Sequence, residues 1–127
     1  MALRPGLQAV ATVVVTEEDT ALAIGSGDVP VLATPRVVLL AEHATVHALA
    51  GYLESGTTTV GYRVQLDHLA PTGIGGLVRA EAVLELVEGR RLTFRVSVTD
   101  AHGLVAAGRI TRVLVDRGRF LERVPAP

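Results

Sequence analysis

One contrast constrains the fold more than any other: a single stretch with helical spacing is followed by a long succession of segments with apolar residues at every second position. Arg36 to Leu53 has no glycine before Gly51 and repeats apolar residues through Val38, Leu39, Val46 and Leu49, one face of a helix at about 100° per residue. Thr34-Pro35 precedes it, and Thr is a good N-cap where Pro suits the first helical position. From Val60 the period becomes two. Val60, Tyr62, Val64, Leu66 and His68 share one face of a strand, and Arg63, Gln65 and Asp67 the other.

The alternation resumes over Leu77 to Val87 after the loop at Pro71 to Gly76. It continues through Leu92 to Val98 and Leu104 to Val115, and Asp116-Arg117-Gly118 turns into a last strand at Arg119 to Val124. An earlier strand spans Leu7 to Thr16, and Ala21 to Ile24 is a short apolar patch. The order is a strand, one long buried helix and a meander of about five antiparallel strands, an α+β domain with segregated elements. At 127 residues the chain is expected to be one domain, 1–127.

Composition narrows the function. Mean hydropathy is +0.41, high for a soluble monomer, yet no run reaches the roughly 18 apolar residues of a membrane helix. The surplus therefore belongs in a core and in a subunit interface. Twelve basic and 13 acidic residues leave no electrostatic footprint for nucleic acid or an anionic membrane. Met1 to Pro5 lacks the layout of a signal peptide, so a cytoplasmic location is expected. With no Cys there is no disulfide, thiolate nucleophile or Cys-ligated zinc.

Two ionisable residues fall where apolar ones are expected. On the helical wheel Glu42 lies amid Val38, Leu39, Val46 and Leu49, an environment that tunes an acid or base. His68 closes the apolar row of its strand. Each alone has an ordinary structural reading, but two independent periodicities deliver a titratable group to one core, and the coincidence favours a site. His43 and His47 have i, i+4 spacing but sit on the helix flank with no further ligand in view, so no metal is expected. No Gly-x-Ser-x-Gly elbow occurs, and the Gly73 to Gly76 loop lacks the Lys-Ser/Thr of a phosphate loop. Acyl transfer would then rest on a carboxylate, attacking directly or activating water, with His assisting.

Thr34, Glu42 eight residues later in VLATPRVVLLAEHATVHAL, and Gly61 and His68 in VGYRVQLDH resemble the fluoroacetyl-CoA thioesterase family of hot dog proteins. The resemblance runs from about Val31 to Val115 and includes Val87-Glu88-Gly89-Arg90-Arg91-Leu92. It implies a hot dog fold, a sheet wrapped around one long helix, and a homodimeric, cofactor-free acyl-CoA thioesterase. It also implies Glu42 as nucleophile or general base, His68 assisting proton transfer, Thr34 orienting the carboxylate, and Gly61 lining the acyl site. An eight-residue helical separation puts Thr34 and Glu42 about 12 Å apart, so one site needs an irregular helix start, bridging water or residues from two subunits.

The family's fluoroacetyl-selective enzyme places aromatic residues before the helix, whereas Gly25 to Leu32 contains no Phe. A different small or medium acyl group is expected, in a pocket bounded by Val38, Leu39 and Tyr62. Arg90 and Arg91 are candidates for the phosphates of CoA, with solvated turn charges as the favoured reading of both. A non-catalytic protein that binds acyl-CoA in the same cleft is the alternative.

Overall fold

The computed structural model describes residues 3–127. Strands β1 (Gln8–Val14), β2 (Thr57–His68), β3 (Leu77–Glu88), β4 (Arg91–Asp100) and β5 (Gly103–Asp116) form one antiparallel sheet in the order β1-β3-β4-β5-β2. The three middle strands are the expected meander. β2 does not extend that meander but crosses to the far side of β5, which leaves one of its edges open. No helix of the described residues is long and apolar enough to cross a membrane.

The principal helix, α2 (Thr34–Leu49), buries Val37, Leu40, Ala41, Ala44, Thr45, Ala48 and Leu49 against the sheet, chiefly β1 and β3. Alanines at 41, 44 and 48 let the helix sit close to the strands. Leu84, Leu92, Phe94, Val96, Val98 and Ile110 are almost wholly buried in the same core. Each of these large side chains contributes about 1.5 to 3 kcal/mol by leaving water.

The expected buried stripe around Glu42 is a different one. Of its members only Leu49 is fully buried, while Leu39 and Val46 remain 38% and 46% exposed. α2 is apolar on two faces, and the face centred on Glu42 is turned about 130° from the one packed on the sheet.

Three local expectations also change. Ala33, not Thr34, is the N-cap of α2, so Thr34 is the first helical residue and its hydroxyl is free for another partner. The helix stops at Leu49 rather than Leu53, because Gly51 takes φ +84° and ends it in the left-handed manner. The segment expected as a last strand is a short helix, α3 (Arg117–Glu122), because the Asp116 carboxylate accepts a hydrogen bond from the Arg119 N–H at 3.0 Å and caps it. Ala21–Ile24, α1, is likewise a single turn, capped by Thr20.

The parity of β2 is broken midway. Gly61 pairs with Arg112 and Arg63 with Thr111, so Tyr62 is the extra residue of a β-bulge. Beyond it Val64, Leu66 and His68 share a face as the alternation predicts. Before it the order reverses, and Thr59 and Gly61, not Val60, look toward α2.

Candidate active site

Two groups of side chains stand between α2 and the edge strand. In the first, the Thr34 hydroxyl and His68 Nδ1 are 2.8 Å apart, joining the first residue of α2 to the last of β2. The other ring nitrogen, Nε2, is buried and has no hydrogen-bond partner among the described residues. Leaving such a group unpaired costs about 1 to 3 kcal/mol, so the position suits a nitrogen whose partner arrives from outside the chain. Thr34 and His68 line a cavity of about 310 Å³ whose other walls include Gly27, Val29, Val31, Leu69 and Pro71. Its lining contains no Phe, Tyr or Trp.

The second group centres on Glu42, whose carboxylate accepts a hydrogen bond from Arg112 Nη1 at 3.3 Å. Arg112 is buried on β5 and also donates from Nε to the Thr59 hydroxyl at 2.9 Å and from Nη2 to the Thr59 carbonyl at 3.2 Å. Burial pushes its pKa down, and the charge of Glu42 opposes that shift. A buried guanidinium needs an anion, and Glu42 supplies it. Gly61 completes the group by omission: a Cβ there would lie 2.8 Å from Glu42 Oε2.

Within one chain these groups stay apart. α2 is regular from Thr34 onward, so Glu42 is about 12 Å further along the axis and points about 80° away. Thr34 touches His68 rather than the carboxylate, which differs from the orienting role implied by resemblance. Val38 is half-buried beside Glu42, whereas Leu39 lines a separate recess with Asp19, Arg36 and His43. Tyr62 is at the bulge, its ring 4.8 Å from the Arg91 guanidinium and its hydroxyl accepting a bond from Arg91 at 3.3 Å. None of Val38, Leu39 and Tyr62 lines the cavity at His68. His43 and His47 stack on the exposed flank with centroids 6.3 Å apart.

Sequence reading missed Arg112. The available signal was its parity, since Ile110, Arg112 and Leu114 alternate on one face of a strand apolar on both sides, which makes Arg112 an ion among core residues.

A family model described as fluoroacetyl-CoA-specific thioesterase matches residues 15–118, most of the chain. The chain belongs to that family. It is 38% identical over 94 residues to the fluoroacetyl-CoA thioesterase of Streptantibioticus cattleyicolor, covering 74% of this chain and 68% of that protein. A crystal structure of a variant of the fluoroacetyl-CoA-specific thioesterase, complexed with fluoroacetate and CoA, superposes with a TM-score of 0.86 at 32% identity, covering 93% of this chain and 99% of that one. A thioesterase superfamily member from Thermus thermophilus gives 0.88 at 32% identity, covering 95% and 90%. The α+β hot dog fold expected from the sequence is the fold observed, and the chain is a thioester hydrolase of this family.

Proposed function

We propose that the protein hydrolyses acyl-CoA thioesters of small to medium aliphatic acyl groups at a site built from Thr34, Glu42 and His68 of two subunits. The observation that carries this reading is the buried, unpartnered Nε2 of His68, backed by Thr34 and set at an aliphatic cavity. With the Thr34 hydroxyl donating to Nδ1, Nε2 carries the hydrogen and can protonate the departing thiolate as the C–S bond breaks. Glu42 supplies the other half, attacking the acyl carbon or taking a proton from the water that does. Arg112 and Gly61 hold the carboxylate clear for either.

A homodimer reconciles the two groups. Val38 is midway between Thr34 and Glu42, so a two-fold axis passing it would set Thr34 of one helix level with Glu42 of its copy. Val64 and Gln65 are midway between Gly61 and His68 on the open edge of β2. Antiparallel pairing of β2 with its copy about that point brings His68 of one subunit toward Gly61 of the other. Both elements give the same register, and the surface involved includes the exposed Val46 and Val64. The walls Val29, Val31 and Leu69 replace an aromatic lid with aliphatic bulk, which favours acyl groups other than fluoroacetyl.

A hydrolysis panel that varies chain length, charge and halogenation tests the reading. Wild type is expected to release thiol, and Glu42→Gln and His68→Ala to lower kcat/KM by at least about 100-fold while remaining folded. Full activity of Glu42→Gln would overturn the assignment, and tight binding without turnover across the panel would make the protein a carrier of acyl-CoA.

A further inference from the structure

Thr72 is a buried polar residue in the loop between β2 and β3, and neither the catalytic groups nor the helix caps use it. Its hydroxyl donates to Asp100 Oδ2 at 2.7 Å, across 28 residues of sequence, while Asp100 Oδ1 accepts from the His102 N–H at 2.8 Å. Asp100, the last residue of β4, is in no ion pair among the described residues. The bond from Thr72 foremost, then the His102 N–H, holds its pKa below the ordinary carboxylate value. At neutral pH the bond is therefore charge-assisted, about twice as strong as one between neutral groups. Gly76 makes room for the other branch of the side chain, since a Cβ there would lie 2.6 Å from Thr72 Cγ2.

The main chain at the same place joins two walls of the cavity at His68. The Thr72 carbonyl accepts from the Leu32 N–H at 2.8 Å, and Gly73 forms an isolated bridge with Val31. Leu69, Ala70 and Pro71 wall one side of that cavity, and Val31 and Leu32 another. The first wall begins at His68, the end of β2, and the second runs through Ala33 into Thr34, the start of α2. The 2.8 Å contact between Thr34 and His68 therefore depends on how the walls meet, and they meet at Thr72.

We infer that Thr72, anchored by Asp100, is a positioning residue of this cavity: it sets the spacing of the two walls, and with it the Thr34–His68 pair and the acyl length that the cavity places best. The inference rests on the thioesterase reading for the seat of the acyl group at His68. Thr72 touches no reacting atom and acts through the walls. Without its hydroxyl the loop loses its side-chain tie to β4, and the Asp100 carboxylate loses its strongest partner. Displacing a reacting group by about 1 Å can cost roughly 100-fold. A short acyl group needs both walls to fix it, whereas a longer one fills the wider space, so the loss falls most heavily on the short ones.

Hydrolysis of acyl-CoAs of rising chain length by the intact protein, with the histidine ring resonances followed by NMR, tests this. Thr72→Val is expected to lower kcat/KM about tenfold for the shortest substrates, mainly in kcat, and less than about threefold for the longest. It should also shift the ring resonances of His68 but not those of the exposed His43 and His47. Thr72→Ser, which keeps the hydroxyl, should restore most of both. Asp100→Asn offers one acceptor oxygen to two donors and should act in the same direction, with the double variant no worse than Thr72→Val alone. Val96→Ala, a core truncation on β4 away from the cavity, should lower the melting temperature and leave the chain-length profile as it is. The same change of profile in Val96→Ala would reduce Thr72 to a role in fold stability and overturn the inference, as would an unchanged profile and unchanged His68 resonances in Thr72→Val. Val29→Phe narrows the cavity from a half-exposed wall position. If it moves the profile while Thr72→Val does not, the inference falls and the acyl seat stands. A His68 shift in Thr72→Val with no acyl-CoA hydrolysis by wild type would leave Thr72 as the residue that places His68 and remove the catalytic reading.

Discussion

Gly61 shows how much of the site depends on one absent atom. The Glu42 carboxylate occupies the space where a Cβ would be, and the clash is with the tip of a flexible side chain, so Gly61→Ala should fold and move the carboxylate away from Arg112. Misplacing a reacting group by about 1 Å can cost roughly 100-fold. Gly61→Ala is accordingly expected to lower kcat/KM by about 10- to 100-fold with a melting temperature close to wild type, measured by thiol release and thermal denaturation. Unchanged kcat/KM would remove Glu42 from the chemistry. The helical wheel singled out Glu42 for a reason that needs revision. It is an exception among apolar residues, but those residues form the face left uncovered by the sheet. Arg112, the partner that fixes it, was hidden because an arginine in a strand reads as solvated until its parity is checked.

The same limit operates on whole elements. Helix α2 and all five strands were readable because their periods are long and sustained, and the only wrong strand was the short segment after Asp116, where a capping residue reads equally well as a turn. The β2 bulge was not readable, since an inserted residue shifts parity without changing composition.

Placement of α2 depends on a residue outside it. Asp19 is buried, accepts hydrogen bonds from the Thr16 N–H and hydroxyl and from Arg36 at 2.6 and 2.9 Å, and its own carbonyl accepts from the Ala33 N–H. It therefore ties the start of the helix, and with it Thr34, to the preceding turn. The Thr16 backbone bond foremost, with Arg36 beside it, holds the Asp19 pKa below the ordinary carboxylate value. A lowered folded pKa means stability present above the unfolded value, near 4, and lost as pH falls through the folded one. Asp19→Asn should cost about 1 to 3 kcal/mol at pH 7. In urea melts its deficit relative to wild type should shrink below about pH 4, and a deficit that stays constant with pH would contradict the ion-pair account.

At the scale of the molecule, the apolar surplus and the divided site have one explanation. Mean hydropathy of +0.41 goes with an exposed apolar stripe on α2 and an open twelve-residue edge strand, a combination that isolated chains rarely leave uncovered. If a second copy covers it about Val38 and Val64, each active site draws Glu42 from one chain and the Thr34–His68 pair from the other. Glu42→Gln and His68→Ala homodimers are then both inactive, but in a mixed dimer the two defects fall in the same site and the other site is intact. Equal mixing after reversible dissociation gives half mixed dimers with one working site of two, so activity should recover to about a quarter of wild type. A site drawn from one chain would show no recovery, because every mixed dimer would carry one defect in each site. Sedimentation measured on the same mixture, together with a Val46→Glu variant expected to be monomeric and inactive, separates failure to exchange subunits from failure of the shared site.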